Sequence, residues 1–135
     1  MAIIKAFKGL RPPRDIVHQL ACRPYDVLNS KEARKDAENI PYSLLRITKP
    51  EIEFPIEANI DEHDQVVYDK AVENFALFQK NKWLVPDKQD SLYIYGQTMF
   101  GKTQYGLVAC CSVEDYMNEK ILKHELTRKD KEEDR

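Results

Sequence analysis

Three side chains that could carry out chemistry lie close together near the end of the chain, within residues 123–128. As a general base, Glu125 could accept the proton of a substrate hydroxyl, while His124 and Arg128 could bind an anionic substrate or stabilise developing charge. The alternative is that His124 and Arg128 favour the negative end of a helix and that Glu125 is solvated. Spacing alone favours this alternative, because a His-Glu pair is a short motif and a single histidine is seldom catalytic.

A second candidate site contains Tyr25 and Asp26, which follow Pro24 in a predicted turn. Functional side chains often stand on loops that rigid elements hold in place, so both residues could line a substrate-binding cleft. The alternative is an ordinary Asx-type turn with Tyr25 packed on the core, and the residue types favour it. No metal site is predicted, because His63 has no companion ligands at metal spacing.

Residues 96–103 match the P-loop pattern G-x-x-x-x-G-K-[ST] and follow a predicted strand. A P-loop needs small residues whose backbone N–H groups wrap a phosphate, and a helix must follow it. Met99 and Phe100 are bulky where such a loop curls, and the residues after Thr103 alternate as they do in a strand. The segment is therefore predicted to be a β-hairpin with its turn at residues 100–102.

Composition narrows the class of protein. The 135 residues are 42% hydrophobic and 33% charged, with 21 Lys and Arg against 23 Asp and Glu. Nucleic-acid binding is disfavoured, because contacts to phosphates need clustered Lys and Arg. No apolar run reaches the roughly 18 residues of a membrane span, and residues 1–15 lack the apolar core of a secretion signal. We therefore expect a soluble cytoplasmic protein with no membrane contact.

Hydrophobic periodicity predicts the elements that would position these groups. Short helices are expected in residues 15–22 and 29–40, and a long helix over 62–81. Residues 42–48 are rich in strand formers and are predicted to form a strand, followed by an exposed connection over 49–59.

The last predicted elements are the hairpin strands, at 92–99 and 104–111, and a helix that Ser112 caps and that runs to about Lys123. The expected fold class is α+β. In it, a small, mostly antiparallel sheet of residues 42–48 and the two hairpin strands packs against one long helix and several short helices.

Five blocks of sequence together resemble a known family: Phe7-Lys8-Gly9-Leu10-Arg11-Pro12, Pro24-Tyr25-Asp26-Val27-Leu28, Leu92-Tyr93-Ile94-Tyr95, Gly106-Leu107-Val108-Ala109 and Lys123-His124-Glu125-Leu126-Thr127-Arg128. In this order they are similar to the N-terminal part of an uncharacterised bacterial and archaeal family, domain of unknown function one thousand and fifteen. Members of that family are longer. We therefore expect residues 1–128 to form a single α+β domain of a longer protein, and 129–135 to form a charged tail.

The resemblance also implies an activity. The later part of family members contains an Asp-Gly-His-His-Arg block like that of the free serine kinases of the ParB and sulfiredoxin superfamily, where it handles nucleotide phosphates. By this resemblance Glu125 is the catalytic carboxylate, and His124, Arg128, Tyr25 and Asp26 contribute to substrate binding. ATP or ADP with Mg²⁺ would serve the full-length protein, whereas this segment alone would bind no cofactor.

Two classes of function stay open on the sequence. The first is a ParB-like kinase that phosphorylates free serine or a similar small hydroxyl compound, and its missing C-terminal part would be the partner of this segment. The second is a non-enzymatic, nucleotide-responsive binding or partition-type protein, or an interaction domain that uses Tyr93, Tyr95 and Tyr105.

Overall fold

The computed structural model describes residues 1–122 and divides the chain into two compact units. Unit 1 contains Met1–Gly9 and the described residues from Pro86 onward, and unit 2 is Leu10–Val85. Helices and short antiparallel strands together confirm the α+β class.

The helices of the described chain are α1 (Val17–Leu20), α2 (Ser30–Asp36), α3 (Leu45–Thr48), α4 (Gln65–Lys80) and α5 (Val113–Met117). The strands are β1 (Ile4–Lys5), β2 (Leu10–Arg11), β3 (Val85–Pro86), β4 (Tyr93–Met99), β5 (Lys102–Val108) and β6 (Cys110–Cys111). Short 3₁₀ helices occupy Tyr25–Val27, Pro50–Glu53 and Ile56–Ala58.

Three helices of unit 2, α1, α2 and α4, lie within the predicted ranges 15–22, 29–40 and 62–81, and each is shorter than predicted. Asn29 caps α2 in a full capping box: its side chain accepts from the Glu32 N–H at 2.9 Å, and the Glu32 carboxylate accepts from the Asn29 N–H at 3.0 Å. The long helix α4 buries Val67 and Phe78. The short helix α1 buries Leu20, which joins Phe78 in one cluster of the core.

The predicted strand at residues 42–48 is wrong, because Leu45–Thr48 form helix α3. Leu45 is fully buried in one cluster, with Leu28 and Ala33, whereas Leu44 and Ile47 pack against the other cluster of the core. A helix directs these neighbouring side chains to the two clusters of the core. Tertiary packing therefore overrides the preference of the side chains for a strand. The sheet expected to contain residues 42–48 therefore does not form.

The exposed connection expected over residues 49–59 is correct only in its second half. Residues 55–59 are exposed, but Pro50, Glu51 and Ile52 are buried in the 3₁₀ helix. Arg34 donates from Nη1 to the Ile52 carbonyl at 2.5 Å and from Nη2 to the Glu51 carbonyl at 3.0 Å. These contacts give hydrogen-bond donors to two carbonyl groups of a buried segment, whose Ile52 side chain belongs to the core.

Unit 1 contains the predicted hairpin. Strands β4 and β5 pair antiparallel from Tyr93 opposite Val108 to Met99 opposite Lys102. Phe100 and Gly101 form the turn with φ of 50° and 74°, as a type I′ turn requires. The two short strands β1 and β6 form a separate antiparallel pair.

The last helix is shorter than predicted. Ser112 accepts from the Asp115 N–H at 3.3 Å, which confirms the cap, but α5 ends at Met117. The Asp115 carboxylate does not close the box, since it accepts from the Ile3 N–H at 2.8 Å and from Lys120 at 2.8 Å.

Candidate functional site

The residues predicted to act on a substrate fall in two places. Glu125, His124 and Arg128 lie outside the described residues. Tyr25 and Asp26 lie in the 3₁₀ helix Tyr25–Val27, where Tyr25 is half-buried and Asp26 is exposed.

The segment with the P-loop pattern cannot wrap a phosphate in the manner of a P-loop. Its residues are paired strands of β4 and β5 and a two-residue turn, and a strand, not a helix, begins at Lys102. The hairpin prediction for residues 96–103 is confirmed.

A cavity of about 380 Å³ lies within unit 2, at the lower end of the size range of small-molecule sites. Its lining is Asn39, Pro41, Arg46, Glu53, Asn74, Leu77, Phe78 and Trp83. One part of the wall is therefore charged or amidic, and the other part is aromatic and aliphatic. Half of the lining residues are polar, so the wall can offer ion pairs and hydrogen bonds beside an apolar surface.

Arg46 is the positive charge of this wall, and the backbone holds it in place. Nε donates to the Ile40 carbonyl at 2.9 Å and Nη2 donates to the Ala37 carbonyl at 3.0 Å. Ala37 is the C-cap residue of α2, where helix carbonyls lack partners within the helix. The guanidinium thereby completes the end of α2 and is fixed in one orientation.

Glu53 is the negative charge of the wall and accepts from Nη1 of Arg46. It ends the 3₁₀ helix that follows α3. The side chains of Arg46 and Glu53 keep 25% and 21% of their exposure, so both remain accessible to a small molecule.

The amides beside this pair are also positioned by the backbone. Nδ2 of Asn74, a buried residue of α4, donates to the Arg46 carbonyl at 2.6 Å. Asn39 has a left-handed φ of 59°, which asparagine tolerates better than most residues. Phe78 and Trp83 meet edge to face at 5.2 Å between ring centroids and belong to the apolar part of the wall.

A second cluster of charges in unit 2 is centred on the buried Lys49 and Glu51 and reaches the exposed Glu62. Nζ of Lys49 lies 3.0 Å from Oε1 of Glu51 and 3.4 Å from Oε2 of Glu62. Ser30 donates to the same Oε1 of Glu51 at 3.0 Å. This cluster ties α2 to the 3₁₀ helix Pro50–Glu53 and leaves little surface for a ligand.

The chemistry available at the cavity is binding. Burial, with the charge of Asp36 as a second cause, raises the pKa of the Cys22 thiol, which disfavours a reactive thiolate. Cys22 does not line the cavity. Within residues 1–122 no group of three His, Cys, Asp or Glu side chains could hold a metal ion.

Sequence reasoning missed Arg46, Glu53, Asn39 and Asn74. The available signal was a charged residue, Arg46, between the core residues Leu45 and Ile47. Its partners are invisible in the sequence, because the pairing depends on a helix where a strand was predicted.

Fold and site together define a class: an α+β protein whose helical unit holds a small cavity with one positive and one negative side chain. The chain belongs to the family described as "Protein of unknown function (DUF1015)", whose pattern matches residues 4–135. No curated protein and no solved structure matches it. Over the described residues, none of the helices has the length and apolar character needed to cross a membrane.

Proposed function

We propose that the protein containing this chain is a small-molecule kinase that phosphorylates free serine or a similar hydroxyl compound in the cytoplasm. One observation carries the substrate class. Arg46 and Glu53 place opposite charges side by side on the wall of one cavity. The reaction type is supported only by the resemblance of the family's later part to free serine kinases and by the His124-Glu125 pair.

A free amino acid matches this wall because it carries both charges. Its carboxylate pairs with Arg46, whose planar guanidinium suits carboxylates, and its ammonium pairs with Glu53. The cost of ordering the site is small, since two backbone carbonyls already hold Arg46. Asn39 and Asn74 contribute amide groups beside the pair.

In the proposed reaction, the serine hydroxyl oxygen attacks the terminal phosphorus of ATP or ADP. The bond from that phosphorus to the bridging oxygen of the nucleotide breaks, and the hydroxyl proton passes to the Glu125 carboxylate. The described residues form no metal site, so the proposal gives Mg²⁺ no ligand among them.

The test uses the full natural polypeptide that contains these 135 residues. It is incubated with ATP or ADP, Mg²⁺ and L-serine, and phosphoserine is measured by phosphorus NMR. General-base catalysis contributes about 10²–10⁴-fold, so we expect Glu125→Gln to reduce turnover at least a hundredfold and the matched Glu119→Gln to leave it unchanged. Absence of phosphoserine, or equal turnover by Glu125→Gln, would overturn the proposal.

A non-enzymatic binding protein is the second candidate function. It is favoured because Arg46 and Asn74 already donate to backbone carbonyls, so these polar groups of the wall are held in place for binding. Serine binding to the cavity without phosphoryl transfer would support this candidate over the kinase.

A further inference from the structure

The β4–β5 hairpin exposes an unusual amount of apolar side chain. Ile94 is 78% exposed, Tyr105 is 76% exposed and Leu107 is 59% exposed. Lys102 is its one charged residue over 93–108, in a chain that is 33% charged. Natural edge strands usually carry charges, prolines or bulges that block pairing, and an isolated two-stranded sheet is marginally stable in water.

The register fixes which backbone groups of β5 face away from β4. A two-residue turn closes on a hydrogen-bonded pair, which here is Met99 with Lys102. Hydrogen-bonded and non-hydrogen-bonded pairs then alternate along the ladder. The N–H and C=O groups that point to the outer edge of β5 are therefore those of Thr103, Tyr105 and Leu107.

We propose that this edge pairs with the same edge of a second copy of the chain, in antiparallel orientation with Tyr105 on the two-fold axis. Tyr105 then faces the partner's Tyr105, and Thr103 faces the partner's Leu107. Each of these opposed residues has its backbone groups turned outward. The register therefore forms about six main-chain hydrogen bonds and extends the hairpin to a four-stranded sheet.

A second copy suits this edge because the edge is self-complementary. In the proposed register Lys102 lies opposite the partner's Val108, so the two lysines stand at opposite ends of the new pairing and do not repel. The side chains of Tyr105 and Leu107 share one face, and cross-strand aromatic and aliphatic neighbours stabilise a sheet.

The outer edge of β5 is also more accessible to a pairing strand than the outer edge of β4. The Tyr105 ring leans over Gly96, where an added Cβ would lie 3.3 Å from it, and so leaves the outer side of β5 open. The outward-facing residues of β4 include this glycine, whereas the glycine of β5, Gly106, faces β4 and not the outer edge.

The first test is cross-linking of the whole chain with its three native cysteines replaced, so that a single new thiol reports the register. Directly opposed residues lie about 5.5 Å apart between Cα atoms, within disulfide range. We expect mild oxidation to link Tyr105→Cys into a covalent dimer and to leave Gly96→Cys monomeric, because Gly96 is the centre of the competing β4 edge. Linkage of Gly96→Cys instead, or of neither variant, would overturn the proposal.

The second test is sedimentation equilibrium of the unmodified chain. We expect a reversible dimer that Tyr105→Lys weakens at least tenfold, because two like charges then meet on the axis. The matched Gln104→Lys, whose side chain points to the opposite face, should change dimerisation less than threefold. Circular dichroism checks that each variant folds. A chain that stays monomeric up to millimolar concentration would contradict the proposal, as would equal effects of the two lysines.

Discussion

Arg46 and Glu53 form an ion pair whose members come from adjacent short helices and border one cavity. Their pairing is not what holds Arg46 in position, since its Nε and Nη2 groups donate to the carbonyls of Ile40 and Ala37. A ligand can therefore replace part of the ion pair without loosening the end of α2. This separation of support from recognition suits the pair to the binding role proposed for it.

The buried Lys49 is expected to be structural. Lys49→Met leaves the Glu51 carboxylate, which is 8% exposed, without its cation. Breaking a buried pair from one side costs about 3–5 kcal/mol, and urea unfolding measures this loss. The matched Lys70→Met, which removes the cation of a pair with the exposed Glu73, should cost about 0.5 kcal/mol. A loss below about 1 kcal/mol for Lys49→Met would contradict the structural role.

The Tyr93 hydroxyl joins two segments of unit 1. It accepts from the Gly9 N–H at 2.7 Å and lies 2.6 Å from Oδ2 of Asp87. Tyr93→Phe leaves that N–H without its acceptor, and we expect a loss of about 1–3 kcal/mol in thermal unfolding. The control is Tyr95→Phe on the exposed part of the same strand, expected to change stability by less than about 0.5 kcal/mol. Equal effects would show that the hydroxyl contributes nothing.

Asp115 makes the stability of unit 1 depend on acid. A hydrogen bond from Lys120, followed by one from the Ile3 N–H, lowers the pKa of the Asp115 carboxyl. A lowered folded pKa stabilises above the unfolded value of about 3.9 and loses this contribution as pH falls through the folded value. We therefore expect Asp115→Asn to be less stable than the wild type at pH 7, with the difference shrinking below about pH 3.9.

Unfolding curves at several pH values measure this difference. The matched control is Asp90→Asn, at an exposed position. The difference in unfolding free energy between this variant and the wild type should not change with pH. A difference for Asp115→Asn that stays constant down to pH 2 would contradict an ionised Asp115 as its source.

The hairpin turn places a phenylalanine where glycine or asparagine is preferred. Phe100 has φ of 50°, a left-handed conformation that is unfavourable for phenylalanine. Its side chain is 95% exposed, so packing does not compensate for this conformational cost. Phe100→Asn should protect the β4 and β5 amides by about 0.5–1 kcal/mol in hydrogen exchange. Gly101→Ala should weaken them by about 1 kcal/mol, through φ alone, since its added Cβ meets no atom within 4 Å. Weaker amide protection in Phe100→Asn together with stronger protection in Gly101→Ala would exclude a type I′ turn.

The sequence was most informative where one local signal agreed with packing. The hairpin followed from alternation and turn residues, and α2 followed from helical periodicity, with which its capping box agrees. The long helix α4 was also predicted, although its buried residues include the polar Asn74, whereas the apolar Phe75 is 40% exposed. Local patterns identify a helix more reliably than they identify which of its residues face the core.

The segment 42–53 shows why the cavity was not predictable. Strand-forming side chains there fold as a helix because they must reach two separate clusters of the core. Only that helix, with the 3₁₀ helix after it, brings Glu53 to Arg46. A binding site made by such tertiary pairing leaves no motif in the sequence, whereas His124 and Glu125 are visible as a motif but lie outside the described residues.

The most direct measurement of the binding role is an NMR titration of the ¹⁵N-labelled chain with L-serine. We expect saturable shifts at the amides around the cavity, weakened about tenfold or more in Glu53→Gln, which corresponds to roughly 1.4 kcal/mol. The matched Glu57→Gln, an exposed residue outside the cavity, should bind as the wild type does. N-acetylserine, which lacks the ammonium, should not compete. Shifts that never saturate, or equal binding by Glu53→Gln and wild type, would contradict a zwitterion site at Arg46 and Glu53.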